Sequence, residues 1–329
     1  MRATMNKKPV YEVAAKSVIN FDSGFRHKLL CDGPTFSTGT ACAYSCAFCY
    51  VPDLMRKSPH LRDIREPHES IVIRRAGAIE AMRAQLVDRT GRPKFNDPND
   101  RRIIYASPLV DVAANMDLVR ETIQACKLIL ELTHWQLRLL SKSNLLPIIA
   151  RQLPRDRIIY GVSTGTLDDK LAIAFEQGTP LPSRRLQSLH WLQDNGYRTF
   201  GMICPSLPQT DYDAFAREMS DAIRAEKCEH VWAEIINVRG ESMTRTVAAL
   251  CTAGFQAEAH ELHAVATDKA AWERYARKTF LAHARLYPTG KLRFLQYVTA
   301  GSYAWWAARE SMGAISLGRV AALPTARGQ

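Results

Sequence analysis

Between Ile103 and Ile236, short apolar runs and amphipathic stretches take turns along the chain, and that order limits the folds open to it. Ile103-Ile104-Tyr105-Ala106 follows the polar stretch from Arg89 to Arg102 and predicts a buried strand after an exposed loop. Asp117 can cap a helix to about Leu132, with Val119, Ile123, Cys126 and Leu130 at helical spacing. Trp135 to Leu140 predicts a strand, and a helix follows through Leu145 to Ala150. Arg157 to Val162 predicts a further strand. Ser183 can cap a helix with Leu186, Leu189 and Leu192 on one face, closed by Asn195-Gly196. Arg198 to Ile203 and His230 to Ile236 read as strands, with a helix between them opened by Asp211 or Asp213.

Strands joined by helices at this interval pair in parallel through right-handed crossovers. The expected class is α/β, a partial (β/α)6-type barrel related to the TIM barrel, with N-terminal and C-terminal extensions. Residues 1–34 read as the N-terminal extension and 35–240 as the barrel. Residues 241–329 read as a helical extension, rich in aromatic and basic residues, packing on the barrel. A barrel presents its chemistry at the C-terminal ends of its strands. Lys142, Ser143, Ser163, Cys204 and Glu234 each fall at a predicted strand end.

The segment TFSTGTACAYSCAFCYVPDL carries Cys42, Cys46 and Cys49 in a C-x3-C-x2-C spacing. Three thiolates within eight residues can converge on one metal centre, and thiolate ligation suits iron–sulfur clusters and zinc. Structural zinc takes four closed ligands, commonly from two separated pairs, and no second pair is found here. Three ligands leave one iron of a [4Fe–4S] cluster open to another molecule. A structural zinc loop and three unrelated core thiols are the competing readings of the spacing.

CAYSCAFC, with Phe48 before the third cysteine, resembles the cluster loop of the radical S-adenosylmethionine superfamily. The resemblance implies a [4Fe–4S] cluster whose open iron takes the amino and carboxylate groups of S-adenosylmethionine. It implies one-electron cleavage to a 5′-deoxyadenosyl radical, which abstracts hydrogen from a substrate. It also implies an external electron donor of the flavodoxin or ferredoxin type.

A narrower resemblance, over about residues 35 to 240, is to the subgroup that includes spore photoproduct lyase. It rests on Ser141-Lys142-Ser143, Val162-Ser163-Thr164, Glu176 to Pro180, Arg185-Leu186, and Ala233-Glu234-Ile235-Ile236-Asn237-Val238-Arg239-Gly240. By that resemblance Lys142, Ser143, Ser163, Glu176 and Phe48 are cofactor-binding candidates. Lysine offers a point charge to a carboxylate, and hydroxyls can meet ribose oxygens. Glu234, Asp111 and Cys204 are candidates for work on substrate. A helix-face or capping role is the alternative for each polar residue at a strand end. The lyase's hydrogen-donating cysteine has no counterpart, because the matching stretch is Tyr105-Ala106-Ser107-Pro108-Leu109-Val110-Asp111. Thymine-dimer repair by that route is therefore not expected.

Of the other cysteines, Cys126 reads as core, Cys204 as cavity-facing or packed, and Cys31 as ambiguous. His260 and His263 stand three apart, which is not the zinc-protease spacing, and read as a solvated helix face. Gly161 to Gly165 has the form of a nucleophile elbow but no triad partners, and reads as a strand-end loop.

Forty-four Lys and Arg against 33 Asp and Glu give a net charge of +11. That suits a polyanionic partner such as nucleic acid, or is incidental. Aromatics such as Trp272, Tyr275, Trp305 and Trp306 interleave with Arg274, Arg277 and Arg293, as do base-stacking surfaces and ordinary amphipathic helices alike. Arg56, Lys57, Arg62, Arg65, Arg74 and Arg75 add a second basic stretch beyond the cysteines. The start of the chain is polar and lacks an apolar run, so the expected location is the cytoplasm, where clustered cysteines favour metal over disulfides. The expected function is modification or repair of a nucleic-acid base by radical chemistry. The alternatives are a radical enzyme acting on a peptide or small metabolite, and a non-catalytic metal-binding protein that binds nucleic acid.

Overall fold

The computed structural model describes residues 8–55, 70–236 and 241–319. Arg56, Lys57, Arg62 and Arg65 of the basic stretch, the segment from Asn237 to Gly240, and the last ten residues lie outside the described residues, while Arg74 of that stretch pairs with Glu121 and Arg75 donates to Ser37 O.

The central sheet has eight parallel strands that follow one another in chain order. They are β1 (Thr35–Phe36), β2 (Ile103–Ala106), β3 (Gln136–Ser141), β4 (Ile158–Ser163), β5 (Arg198–Ser206), β6 (Val231–Ile235), β7 (Leu292–Val298) and β8 (Ala314–Arg319). A short strand, Ile19–Asn20, pairs antiparallel with β1 at one edge. Six of the parallel strands fall in the region expected to form a partial barrel. The last two extend the same sheet past residue 240, where the sequence pointed to helices alone.

The sheet sorts its residues with period two, as pleating requires. On β4, Ile158, Tyr160 and Val162 pack outward among the helices while Ile159 points inward. On β6, Val231, Ala233 and Ile235 face out and Trp232 faces in. Tyr105, Phe200, Met202 and Leu295 join the inward set. Gly161 also faces in, and a Cβ there would come within 2.2 Å of the Phe200 ring. The inward side of the sheet thus carries its own apolar cluster, part of which borders a cavity at the C-terminal ends of the strands.

The outer face is covered by amphipathic helices, among them Met116–Leu132, Pro182–Asp194, Tyr212–Ala222 and Lys269–Ala284. Asn115, not Asp117, caps the first of these, its side chain accepting from the Leu118 amide. Asp117 sits one place inside the helix and pairs with Arg120 instead. Pro182 opens the second helix at its first turn, a position where the absent N–H costs nothing. Asp211 caps the third. Trp272, Tyr275, Phe294 and Trp306 are buried, so most of the C-terminal aromatics are core.

The N-terminal residues supply the floor of this inward side. A one-turn 3-10 helix, Gly24–Lys28, ends at Leu29 in the left-handed region, with φ 54°. Phe25, Leu30 and Cys31 pack against Tyr105, Trp232 and Ile315. The carbonyls at the end of this turn would otherwise lack donors. Trp232 Nε1 donates to Lys28 O at 2.8 Å, Arg138 to Leu29 O and Leu30 O at 3.1 and 2.8 Å, and Arg293 to Leu29 O at 3.0 Å. Arg138 lies 4.9 Å from the Trp232 ring centre and 5.6 Å from that of Phe200, contacts worth about 1–2 kcal/mol each when desolvated. Among the described residues no helix is long and apolar enough to cross a membrane.

Candidate functional site

A cavity of ≈ 220 Å³ opens at the C-terminal ends of the strands. Its upper wall holds Cys42, Cys46, Phe48 and Cys49, and its side wall Asp111, Lys142 and Ser163. Its floor holds Phe25, Lys28, Leu30, Tyr105, Met202, Cys204 and Glu234.

The three cysteines sit on a loop that the chain holds from several sides. Ser45–Cys46 pairs antiparallel with Glu176–Gln177. The Ala47 amide donates to Phe175 O at 2.9 Å, and the Cys49 amide to Cys46 O at 3.0 Å, which turns the loop back on itself. Burial raises all three thiols, pushing Cys42 up to about 12. The nearby Cys49 and Asp111 add to the Cys42 shift, Glu176 adds to that of Cys46, and Lys142 and Arg245 work against the rise at Cys49. A metal centre bound by these sulfurs would displace their protons.

Among the described residues no three His, Cys, Asp or Glu side chains are gathered closely enough for a single metal ion. The donor set itself fits a larger thiolate-ligated group: three sulfurs on one wall of one cavity, with the cations Lys142 and Arg245 beside them to offset thiolate charge.

Lys142 is the hinge of the side wall. Its Nζ donates to Ser163 Oγ at 2.9 Å and to Cys204 O at 3.1 Å, and lies 3.0 Å from Glu176 Oε1. It also stands 5.1 Å from the centre of the Phe48 ring. Glu176 is fully buried and ion-paired in turn with the equally buried Arg185. Arg185 anchors the group further by donating to Pro180 O at 2.7 Å and Ser163 O at 3.1 Å. Burial alone would raise the Glu176 carboxyl, but Lys142 and Arg185 together hold it below the usual range. Gly165 lets the loop after β4 lie against the end of β5, since a Cβ there would overlap Pro205 O at 1.9 Å.

The other sequence candidates divide. Ser143 is buried and does not line the cavity; its hydroxyl accepts from the Leu145 amide. Asp111 lines the cavity but its oxygens are taken by Ser141 Oγ at 2.6 Å, the Lys142 amide at 2.7 Å and the Ala113 amide at 2.9 Å. It therefore ties the loop after β2 to the end of β3. Burial raises its carboxyl, against the pull of those bonds. Ser107 lines the cavity and donates to Ser37 Oγ at 3.0 Å.

Glu234 and Cys204 meet on the floor, with Sγ 3.9 Å from Glu234 Oε2. Burial and the adjacent carboxylate push the Cys204 thiol up to about 12. Lys28 completes the group at 3.5 Å from Glu234 Oε2. Burial pulls the Lys28 ammonium down, but Glu234, Tyr297 and Cys204 outweigh it and keep it charged. Sequence reasoning missed Lys28, because it lies 206 residues from Glu234 in a segment that reads as an extension. It also missed Arg245. Cys31 is buried in the floor, Cys126 in the outer core, and His260 and His263 are exposed on the helix Gln256–Thr267.

A mostly parallel α/β sheet with a cysteine-walled cavity at its strand C-termini defines the class. No protein-family model and no curated protein matches the chain. Among solved structures it is similar to a spore photoproduct lyase variant with bound AdoMet and dinucleoside spore photoproduct: 13% identity, 65% of this chain, 60% of that chain, TM-score 0.45. A second lyase variant with the same dinucleoside matches at 12% identity over 65% and 60% of the two chains, TM-score 0.47. Streptococcus suis SuiB bound to its precursor peptide SuiA matches at 14% identity over 67% and 44%, TM-score 0.37. The chain thus spans about three fifths of the lyase's length and under half of SuiB's.

Proposed function

We propose that this chain is a radical S-adenosylmethionine enzyme. The observation that carries the reading is that Cys42, Cys46 and Cys49 open onto one cavity at the strand C-termini, beside Lys142 and Ser163. Cys42, Cys46 and Cys49 are the ligands for a [4Fe–4S] cluster, and S-adenosylmethionine is the second cofactor. When bound, the pair supplies a 5′-deoxyadenosyl radical, at the expense of one electron from a flavodoxin- or ferredoxin-type donor.

The chain's own residues do the rest. Lys142 offers its ammonium to the cofactor's carboxylate, and Ser163 its hydroxyl to the ribose. Glu176 holds Lys142 in place from below, with Arg185 neutralising the second carboxylate oxygen. Phe48 shields the cluster side from water. Phe25, Leu30, Tyr105 and Met202 make the remaining wall apolar, which keeps a reactive carbon radical away from solvent. Glu234, Cys204 and Lys28 form the substrate end of the cavity, with Lys28 pairing Glu234 and Cys204 Sγ beside the same carboxylate.

The substrate class that fits best is a nucleic-acid base. The net charge of +11 and the subgroup resemblance support that choice. Anaerobic reconstitution with iron and sulfide, then reduction in the presence of S-adenosylmethionine, should yield 5′-deoxyadenosine. A protein that takes up iron but releases none overturns the reading. Deuterated DNA or RNA oligonucleotides should pass label into 5′-deoxyadenosine. Label arriving only from peptides or small metabolites overturns the substrate assignment and leaves the enzyme class intact.

A further inference from the structure

The helix Ser242–Thr252 follows the end of β6 and lies outside the cavity, yet one of its side chains reaches the cysteine loop. Arg245 Nε donates to Ala47 O at 3.0 Å and its Nη2 donates to Cys49 O. These two carbonyls flank Phe48. A guanidinium is planar and rigid, so gripping carbonyls two residues apart fixes the direction in which both point and the backbone between them. The opposite edge of the loop is fixed by the Glu176–Gln177 strand. The loop is therefore clamped from two sides by segments more than 120 residues further along the chain.

The charge matters as well as the fork. Arg245 has a counter-ion in Glu241, but at 3.5 Å and on an exposed side chain, where such a pair is worth little. Its positive field thus falls mainly on the loop. Lys142, the cation on the other side, is engaged at 3.0 Å by the buried Glu176.

We propose that Arg245 is a positioning residue for the three-cysteine loop: its fork sets the loop's backbone and its charge sets the field at the Cys49 end of the cluster. This rests on the reading of Cys42, Cys46 and Cys49 as cluster ligands. A nearby positive charge favours the more negative, reduced cluster, so it raises the reduction potential.

The test uses the full chain reconstituted anaerobically with ferrous iron and sulfide, comparing wild type with Arg245→Gln and Arg245→Lys. Arg184→Gln, exposed on the helix Pro182–Asp194, serves as control. The readouts are iron retained against a competing chelator, the midpoint potential, the electron-spin resonance of the reduced cluster, and thermal melting of the iron-free chain. Arg245→Gln should lose cluster about tenfold more readily than wild type, the magnitude usual for residues that orient ligands, and shift the potential negative. Arg245→Lys keeps the charge but not the fork, so it should lose cluster more readily while holding a potential near wild type. Wild-type retention and potential in Arg245→Gln overturn the proposal. If the iron-free Arg245→Gln chain fails to melt cooperatively, Arg245→Lys decides, and wild-type retention there overturns it. A wild-type chain that takes up no cluster overturns this proposal and the proposed function together, whereas a loaded wild type with an indifferent Arg245→Gln overturns this proposal alone.

Discussion

The roof and the floor of the cavity are built in opposite ways. The sulfurs of the roof come from one short segment, since Cys42, Cys46 and Cys49 lie within eight residues, and distant residues only hold that segment in place. The floor is assembled from distant parts: Lys28 sits on a turn whose carbonyls are held by Arg138, Trp232 and Arg293, from three separate strands. The roof thus draws its three sulfurs from one segment, while the floor draws its parts from the whole fold. Substitutions should separate the two.

The largest effect belongs to the roof. Cys42→Ser, Cys46→Ser or Cys49→Ser should abolish iron uptake and 5′-deoxyadenosine formation, with little change in the melting of the iron-free chain. Iron retained at wild-type stoichiometry in any of the three would remove that cysteine from the ligand set.

Next comes the buried pair behind the roof. Arg185→Met leaves Glu176 buried with Lys142 as its one remaining cation among the described residues, and should cost about 3–5 kcal/mol in urea denaturation. Adding Glu176→Leu to the same chain should recover part of that loss. A double variant no more stable than the single one would mean that packing, not the unmatched charge, carries the cost.

The floor should respond less. Lys28→Met strips Glu234 of its cation, but both side chains keep some access to water, 18% and 10% exposed, so about 2 kcal/mol is expected from the same denaturation. A loss as large as that of Arg185→Met would mean that floor and roof are equally strict.

The smallest effect is in pH. Burial, then the guanidinium groups of Arg293 and Arg138, holds the His230 imidazole down to about 4. In the unfolded chain an imidazole titrates near 6.5, so unfolding takes up a proton below that pH. The His230 contribution is fully present above about pH 6.5 and is lost as the pH falls from there towards about 4. His230→Gln should flatten the fall in urea midpoint over that window. An unchanged slope would place the acid sensitivity elsewhere.

The same contrast explains what could be read in advance. Strands β2 to β6 announced themselves because each is a short apolar run bounded by turn residues. β7 and β8 did not: β7 carries Arg293 and Gln296 much as β3 carries Arg138 and Gln136, but its aromatics lie among basic residues that read as a helical face, and the small residues of Ala314–Arg319 leave β8 to its sheet neighbours. Lys142, Ser163 and Glu234 were found at strand ends by the barrel rule. Ser143 passed the same test and Asp111 came from the stretch matched to the lyase subgroup, yet the structure turns their polar atoms largely into backbone bonds. Lys28 and Arg245 gave no local signal, because each acts on residues roughly 200 positions away.

The floor turn also has a bearing on how the chain assembles. Its Leu29 carbonyl is matched by a donor 264 residues later, and Lys28 O by one 204 residues later. Contacts spanning that much chain close late and carry a high loop-closure cost, so a segment made early must wait, with Phe25 and Leu30 uncovered, for strands made near the end. Fluorescence of Trp232 should therefore report one of the slowest steps of refolding, well after helix signal has returned.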